Sequence, residues 1–394
     1  MKILHCCLAC FYIDHYSYQE NLLPKYHKRM GYDVQIVAST ETFDEKGRLT
    51  YTSSGEYFNE DGIKVTRLPY VSWMSHSIAI KLRRYIGLKE YLYEYQPDFI
   101  FLHDIQFLDV DIVRDYASKN KVVIVADSHS DFSNSARSFI SRRILHGIIY
   151  KHCAKIIEPF VSRFYGVLPA RVDFLNEMYD IPRGKIDLLV MGADDDLVRE
   201  AAVPSEVIGF RNNHGVSEDD FLIVTGGKID LAKTQTLLLM DAVNRINNPK
   251  VKLLIFGSVV PEMKQEFNQR LSEHVMYIGW VKSEDTYPIF ASAQMVVFPG
   301  RHSVFWEQVC AQGIPMIVKR WKGTDDIDLD GNVFFLEKDS VEEIENAIVS
   351  NALNKNNYLK MKEVAASDRS LKFLYSSIAR KSLEVLDNMK QSPS

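Results

Sequence analysis

Short apolar, partly β-branched runs alternate with stretches of helical spacing along nearly the whole chain, and glycines or prolines punctuate the joints. That alternation predicts parallel strands crossed over by helices, a doubly wound α/β architecture. In the first half, strands are expected over residues 3–8, 34–38, 99–102 and 122–126, with a short one at 187–191. Helices are expected at 20–30, around 80–95 and at 110–118. A polar excursion from 40 to 61, with Gly47, Gly55 and the turn Asp61-Gly62, returns as Ile63-Lys64-Val65-Thr66-Arg67-Leu68 and reads as a loop or hairpin on the sheet's edge. The second half restarts with strands at 221–225, 252–256, 276–278, 295–298 and 316–318, and terminal helices follow at 341–353 and 370–389. The expected domains are 1–210, 211–369, and a helix over 370–394 that crosses back to the first.

Two corners of the second half carry chemistry. After the run 295–298 comes the polar turn Pro299-Gly300-Arg301-His302-Ser303, in which Ser303 can cap a short helix that Gly313 and Pro315 end. The amide groups at such a helix start face the crevice beyond the strand ends, where phosphate is the usual occupant. The other corner is Gly226-Gly227-Lys228 after 221–225, followed by Lys233 and a helix through Leu237, Met240, Val243 and Ile246. Lys228 and Lys233 both approach the strand's carboxyl end, and two cations beside amide donors suit a diphosphate.

A chain of 394 residues, 46% hydrophobic and 11% aromatic, has material for two packed cores. Lys and Arg number 47 against 52 Asp and Glu, so no global basic field draws it to nucleic acid. The five cysteines lack paired metal spacing; Cys6, Cys7 and Cys10 fall in or just after the first strand, which fits a reducing cytoplasm. No run reaches the length of a membrane span, and the chain enters its first strand without a signal peptide.

The second half resembles the family 4 retaining glycosyltransferases of the GT-B fold, two Rossmann-like domains facing a cleft. Gly227-Lys228 with Lys233, Gly257, Gly279-Trp280-Val281, Phe298-Pro299 and Ala311-Gln312-Gly313-Ile314-Pro315 stand in the order and spacing of that family's motifs. Gly31-Tyr32-Asp33-Val34, Pro97-Asp98 before His103, His129 and Gly192-Ala193-Asp194 extend the likeness more loosely to the first half. The family's paired glutamates are absent as such: their positions fall on Gly300 and Gln308, with Glu307 one residue away. A glycine loop of the first half is replaced by Tyr16-Ser17-Tyr18-Gln19-Glu20-Asn21, a pattern similar to bacterial surface-polysaccharide transferases.

The resemblance implies transfer of a sugar from a nucleotide-diphosphate donor, UDP favoured, to a glycan or lipid-linked glycan with retention at the anomeric carbon. It implies that Lys228 and Lys233, beside Gly227, hold the departing diphosphate together with the helix beginning near Ser303, with the base by Trp280 and Val281 and the ribose on Glu307 or Gln308. His302 and His129 would approach the sugar and the acceptor, with Tyr18, Gln19 and His103 on the acceptor side. No cofactor or metal is expected; Asp109/Asp111 and Asp194/Asp196 read as solvated pairs. Two other readings stand beside this one: a nucleotide-sugar epimerase of the same fold, and a non-catalytic nucleotide-sugar-binding partner of another transferase. Finally, Lys81, Arg83 and Arg84 accompany Ile80, Leu82, Ile86 and Leu88, while Arg137, Arg142, Arg143 and Lys151 accompany Phe139, Ile140, Ile144, Leu145 and Ile148. Such basic amphipathic faces suit an anionic membrane surface, a peripheral location on the inner face of the cell membrane.

Overall fold

The computed structural model describes residues 1–44, 48–132, 134–135, 138–139 and 141–391; Gly47, Arg137 and Ile140 lie outside these. The chain divides into two compact units, Met1–Val190 with Ile378–Ser394, and Met191–Ser377.

The first unit is built on an eight-stranded sheet in the order Ile186–Leu188, Val161–Gly166, Val123–Ser128, Phe99–His103, Lys2–Cys7, Asp33–Ser39, Lys64–Leu68, Gly55–Phe58. Every pairing is parallel except that of the edge strand Gly55–Phe58. Its central strands are near-continuous apolar runs because helices cover both faces of a parallel sheet. Within the polar excursion, Glu41–Phe43 pairs antiparallel with Leu49–Tyr51 as a separate ribbon. The helix expected around 80–95 is two helices, His76–Leu82 and Leu88–Tyr95. Arg83 at φ 51° and Gly87 at φ 96° break it, and Tyr85 between them bridges back to Tyr70. Val161–Gly166 escapes the sequence pattern because Ser162 and Arg163 interrupt its apolar run.

The second unit holds six parallel strands in the order Val275–Tyr277, Val251–Phe256, Phe221–Gly226, Met295–Phe298, Met316–Lys319, Val333–Leu336. The chain leaves Phe221–Gly226 in one direction and later returns to its other side with Met295–Phe298, which makes the gap beyond their carboxyl ends a switch point. Lys2–Cys7 and Phe99–His103 form the equivalent point in the first sheet.

The change of unit falls at Val190–Met191, upstream of residue 210, because Asp195–Ala201 and Pro204–Asn213 pack on Thr286–Ala291. Buried Arg211 fastens them, donating to the carbonyls of Ser292 (3.0 Å), Ser217 (2.6 Å) and Asp220 (2.7 Å). At the other end, Phe373 and Tyr375 pair with the backbone of Ala193, and from Ile378 the helix Tyr375–Ser382 belongs to the first unit.

Candidate active site

The switch point of the second unit is a pocket lined by Thr225, Gly226, Lys228, Lys233, Gly300, Arg301 and Ser303, among others. Its floor is two interlocked turns. Gly257, at φ 117°, lies so close that a Cβ there would sit 1.9 Å from the carbonyl oxygen of Gly227. Ile229 N–H donates to the Ser258 carbonyl (2.8 Å), so the basic turn after Phe221–Gly226 is pinned to its neighbour. On the far wall, Trp321 Nε1 donates to the Gly300 carbonyl (3.0 Å). The pocket therefore gathers both predicted lysines with Gly300 and Ser303, and adds Arg301, to which the sequence pattern assigns no role. Burial pulls the Lys233 ammonium below the usual lysine range; Asp230 opposes this, while Arg301 and Lys228 add to it. A concentrated positive field next to main-chain turns can receive a diphosphate.

The helix Phe305–Ala311 starts one residue later than a Ser303 cap requires, with Val304 at the cap position and no bond from its side chain; Ser303 Oγ still accepts from the helix's first amide, Phe305 N–H, at a long 3.4 Å. Trp280 is 70% exposed after Val275–Tyr277; it and Val281 do not line the pocket but follow the strand two places from Phe221–Gly226.

Glu307 and Gln308 are both turned inward, which corrects the expectation that one of them holds ribose. Residues 306–311 are buried because their short helix packs against the turn Asp368–Phe373. Glu307 is 0% exposed with Oε1 2.8 Å from His302 Nε2, and Gln308 Nε2 donates to Thr286 Oγ1 (2.9 Å). Neither Glu307 nor His302 lines the pocket; their contact holds His302 in the turn between Arg301 and Ser303, which do. Near Glu307 lies Asp326, unseen in sequence because it falls in an acid-rich loop without periodicity. Burial, then the Glu307 carboxylate, pushes the Asp326 carboxyl up to about 7. Both Asp326 oxygens and Glu307 Oε2 are buried without a hydrogen bond.

In the first unit the predicted residues converge on one the sequence reading missed. Asp127, fully buried at the end of Val123–Ser128, accepts from Gln19 Nε2 (2.9 Å) and Asp104 N (3.0 Å). His103 Nδ1 and His129 Nε2 stand 3.3 and 3.6 Å from its Oδ2. Burial raises this carboxyl, but the two imidazoles outweigh it and hold the group well below the usual carboxylate range. For His129 burial works downward and Asp127 upward, and Asp127 prevails. Its side chain is 29% exposed, whereas His103 is 0% and Gln19 2% exposed. His103 and Gln19 thus support Asp127 from behind rather than facing an acceptor. His103 is not paired with Asp104, whose carboxylate instead accepts from Ile105 N and Gln106. Tyr18, 42% exposed, precedes the helix Gln19–Arg29.

In the first basic segment both arginines are engaged within the protein. Arg84 pairs with Asp109 (2.8 Å) and Asp111 (3.3 Å), and Arg83 donates to the Gln106 carbonyl. Asp109 is accordingly a buried ion-pair partner and Asp194 a buried helix cap accepting from Asp196 N, so neither aspartate pair is simply solvated. Among the described residues no group of three or more His, Cys, Asp or Glu side chains is placed to hold a metal ion, and no helix is long and apolar enough to cross a membrane. The second basic segment is different: Arg142 and Arg143 are exposed beside Phe139, Ile144 and Ile148 around an open groove.

Residues 220–353, which hold the pocket, match the family model described as glycosyl transferases group 1. The fold is GT-B. Across 98% of this chain and 100% of the other, it superposes on the Anabaena protein HepE in complex with UDP at 15% identity and a TM-score of 0.66. A glycosyltransferase from Rickettsia africae gives 14% identity, 100% and 99% coverage and a TM-score of 0.68. The UDP-GlcNAc 2-epimerase of Neisseria meningitidis gives 11%, 98% and 100%, and 0.63. No curated protein matches the chain in sequence. At such identities the GT-B likeness speaks for architecture, and the chemistry rests on the residues.

Proposed function

We propose that this chain is a retaining glycosyltransferase that takes a sugar from a nucleoside diphosphate, UDP favoured, and passes it to a glycan or lipid-linked glycan in bacterial polysaccharide synthesis. The observation that carries the reading is the trio Lys228, Lys233 and Arg301 at the switch point of the unit that matches the group 1 model. Charge builds up on the diphosphate as the glycosidic bond breaks, and cations fixed in advance stabilise that charge without reorganising. With three cations present the positive field does not call for a divalent ion, so UDP binding should survive a chelator. A retaining transfer needs no strong base, because the leaving phosphate can accept the acceptor's proton on the same face. His129 is the acceptor-side group we assign, held by Asp127 and reaching solvent.

The groove of Phe139, Arg142, Arg143, Ile144 and Ile148 supports peripheral attachment to an anionic cytoplasmic leaflet, where a lipid-linked acceptor would lie. Epimerase and transferase share this architecture, so the test must separate them. Purified protein is incubated with a panel of nucleotide sugars, with and without extracts of lipid-linked glycans, and both UDP and isomerised donor are measured. UDP release that depends on the acceptor is the expected result. Isomerised nucleotide sugar without any acceptor would establish the epimerase instead, and binding without turnover of any donor would leave a non-catalytic partner.

A further inference from the structure

Behind Asp127 runs a buried chain of three histidines that neither the donor pocket nor the acceptor reading uses. His103 Nε2 lies 2.9 Å from His5 Nδ1, and His5 Nε2 lies 3.0 Å from His27 Nδ1. His27 Nε2 ends the chain 2.9 Å from Ser382 Oγ and 3.2 Å from the Ala379 carbonyl oxygen, both on the helix Tyr375–Ser382. The three imidazoles, Asp127 and Ser382 are all 0% exposed, so no bulk water supplies missing partners.

Hydrogen-bond polarity along this chain is set at its far end. Ser382 Oγ donates its own hydrogen to the Ala379 carbonyl (2.8 Å), so both groups that meet His27 Nε2 are acceptors and that nitrogen carries a hydrogen. His27 Nδ1 then accepts from His5 Nε2–H, and His5 Nδ1 accepts from His103 Nε2–H. What remains is His103 Nδ1, 3.3 Å from Asp127 Oδ2 and buried with no hydrogen-bond partner of its own. A bare nitrogen there would set its lone pair against the carboxylate. A second hydrogen makes His103 an imidazolium, and since two N–H groups already donate to Asp127, the proton rests on the ring rather than on the acid. The charges nearby agree. Burial lowers His103, but the Asp127 carboxylate opposes it and the group is pushed up to about 9, while burial holds His5 well below the usual range and His27 at about 4.

We propose that this row of histidines stores one proton on His103, oriented by the helix Tyr375–Ser382, and that the stored charge tunes His129 through their shared partner Asp127. His129 faces Asp127 and Glu20, which favour its protonation, and Arg171, which opposes it. A permanent imidazolium opposite it satisfies part of the Asp127 charge, leaving His129 readier to exchange a proton near neutrality than a lone aspartate–histidine pair would be. His129 is then the group that meets ligand, and His5, His27 and His103 are positioning residues. The inference does not rest on the transferase reading, because it is read without turnover.

Histidine-selective ¹⁵N labelling of the whole protein reports ring protonation directly. In the wild type, His103 should show both ring nitrogens protonated at neutral pH, with His5 and His27 neutral and protonated at Nε2. His5→Phe removes the acceptor of His103 Nε2–H; His103 should then lose its extra proton and the His129 titration midpoint should rise by about one pH unit. Ser382→Ala keeps the Ala379 carbonyl as acceptor and should leave that midpoint in place. A His103 with a single protonated nitrogen in the wild type, or an unmoved His129 in folded His5→Phe, would overturn the proposal. Should His5→Phe not fold, the wild-type spectrum decides.

Discussion

Replacing Lys233 by alanine removes the half-buried member of the three cations that line the pocket of the second unit, the other two being exposed. A charge-assisted hydrogen bond from such a group to phosphate is worth about 1.5–3 kcal/mol. At about 1.4 kcal/mol per decade, the Kd for UDP should rise roughly 10- to 100-fold in Lys233→Ala. Lys228 is 62% exposed and 3.6 Å from Asp230, so Lys228→Ala should cost less, under about 1 kcal/mol or about fivefold. A second signature follows from charge. Burial, Arg301 and Lys228 already depress Lys233, with Asp230 opposing, and a diphosphate alongside would reverse the depression. Binding should therefore take up a proton on the alkaline side, and affinity should fall as pH rises through the Lys233 range of the free protein. Titration calorimetry of UDP in two buffers of different ionisation enthalpy reads both effects. Unchanged affinity in Lys233→Ala, or a larger loss in Lys228→Ala, would refute the assignment of Lys233 as the phosphate anchor.

The Asp326 carboxyl rises from 3.8 to about 7 on folding, so the folded state binds the extra proton between those values and stability falls as pH rises through them. Asp326→Asn should consequently raise the melting temperature most at about pH 8, with up to about 4 kcal/mol at stake, and much less at about pH 4; an equal gain at both would show that the acid's charge is not the cause. Gly257→Ala forces a Cβ to within 1.9 Å of the Gly227 carbonyl oxygen at a φ of 117°, and should destabilise the protein by more than about 2 kcal/mol in urea denaturation. Charge reversal at Arg142 and Arg143 should weaken sedimentation with anionic liposomes by about 1 kcal/mol per charge at low salt, whereas reversal at Arg84 should act on stability by breaking its pairs with Asp109 and Asp111; equal recovery of the Arg142/Arg143 variant and the wild type would remove the membrane surface.

Much of the architecture was legible because buried parallel strands write themselves as short apolar runs, and those of the second unit did so with glycines at their ends. Where a strand carries polar residues, as Val161–Gly166 does, the signal disappears. Helix breaks were harder still: Arg83 adopts a left-handed backbone that nothing in its neighbours announces. The donor-side corner was visible for a local reason, since glycine, cation and strand end follow one another within a few residues. Arg301 sits in the facing turn, after Met295–Phe298, and could have been drawn in by its charge alone. The Asp127 cluster is of another kind. Gln19, His103 and His129 meet there from three separate stretches of chain, and the contact between Gln19 and Asp127 spans 108 residues. The direction in which Glu307 points was equally hidden, because it depends on packing against residues 368–373 and on Gln308 finding Thr286.

The residue types at the two switch points bear on the proposed division of labour independently of how the units are arranged. The second carries three side chains that are permanent cations near neutrality, grouped on turns whose glycines allow close backbone approach. Such a site answers to a ligand whose negative charge is equally permanent, which a diphosphate is and a sugar hydroxyl is not. The first carries His129 beside the buried carboxylate of Asp127, with Asp104 and Glu20 also buried nearby, and an imidazole can both donate and accept. A hydroxyl nucleophile needs that duality, since it must be held by its lone pair or its hydrogen and must surrender the latter as the new bond forms. Exchanging the assignments would place a neutral hydroxyl among fixed cations and a diphosphate against Asp127, and the second arrangement would set like charges together at a buried carboxylate. Donor on the second unit and acceptor on the first is therefore the distribution that the charges favour.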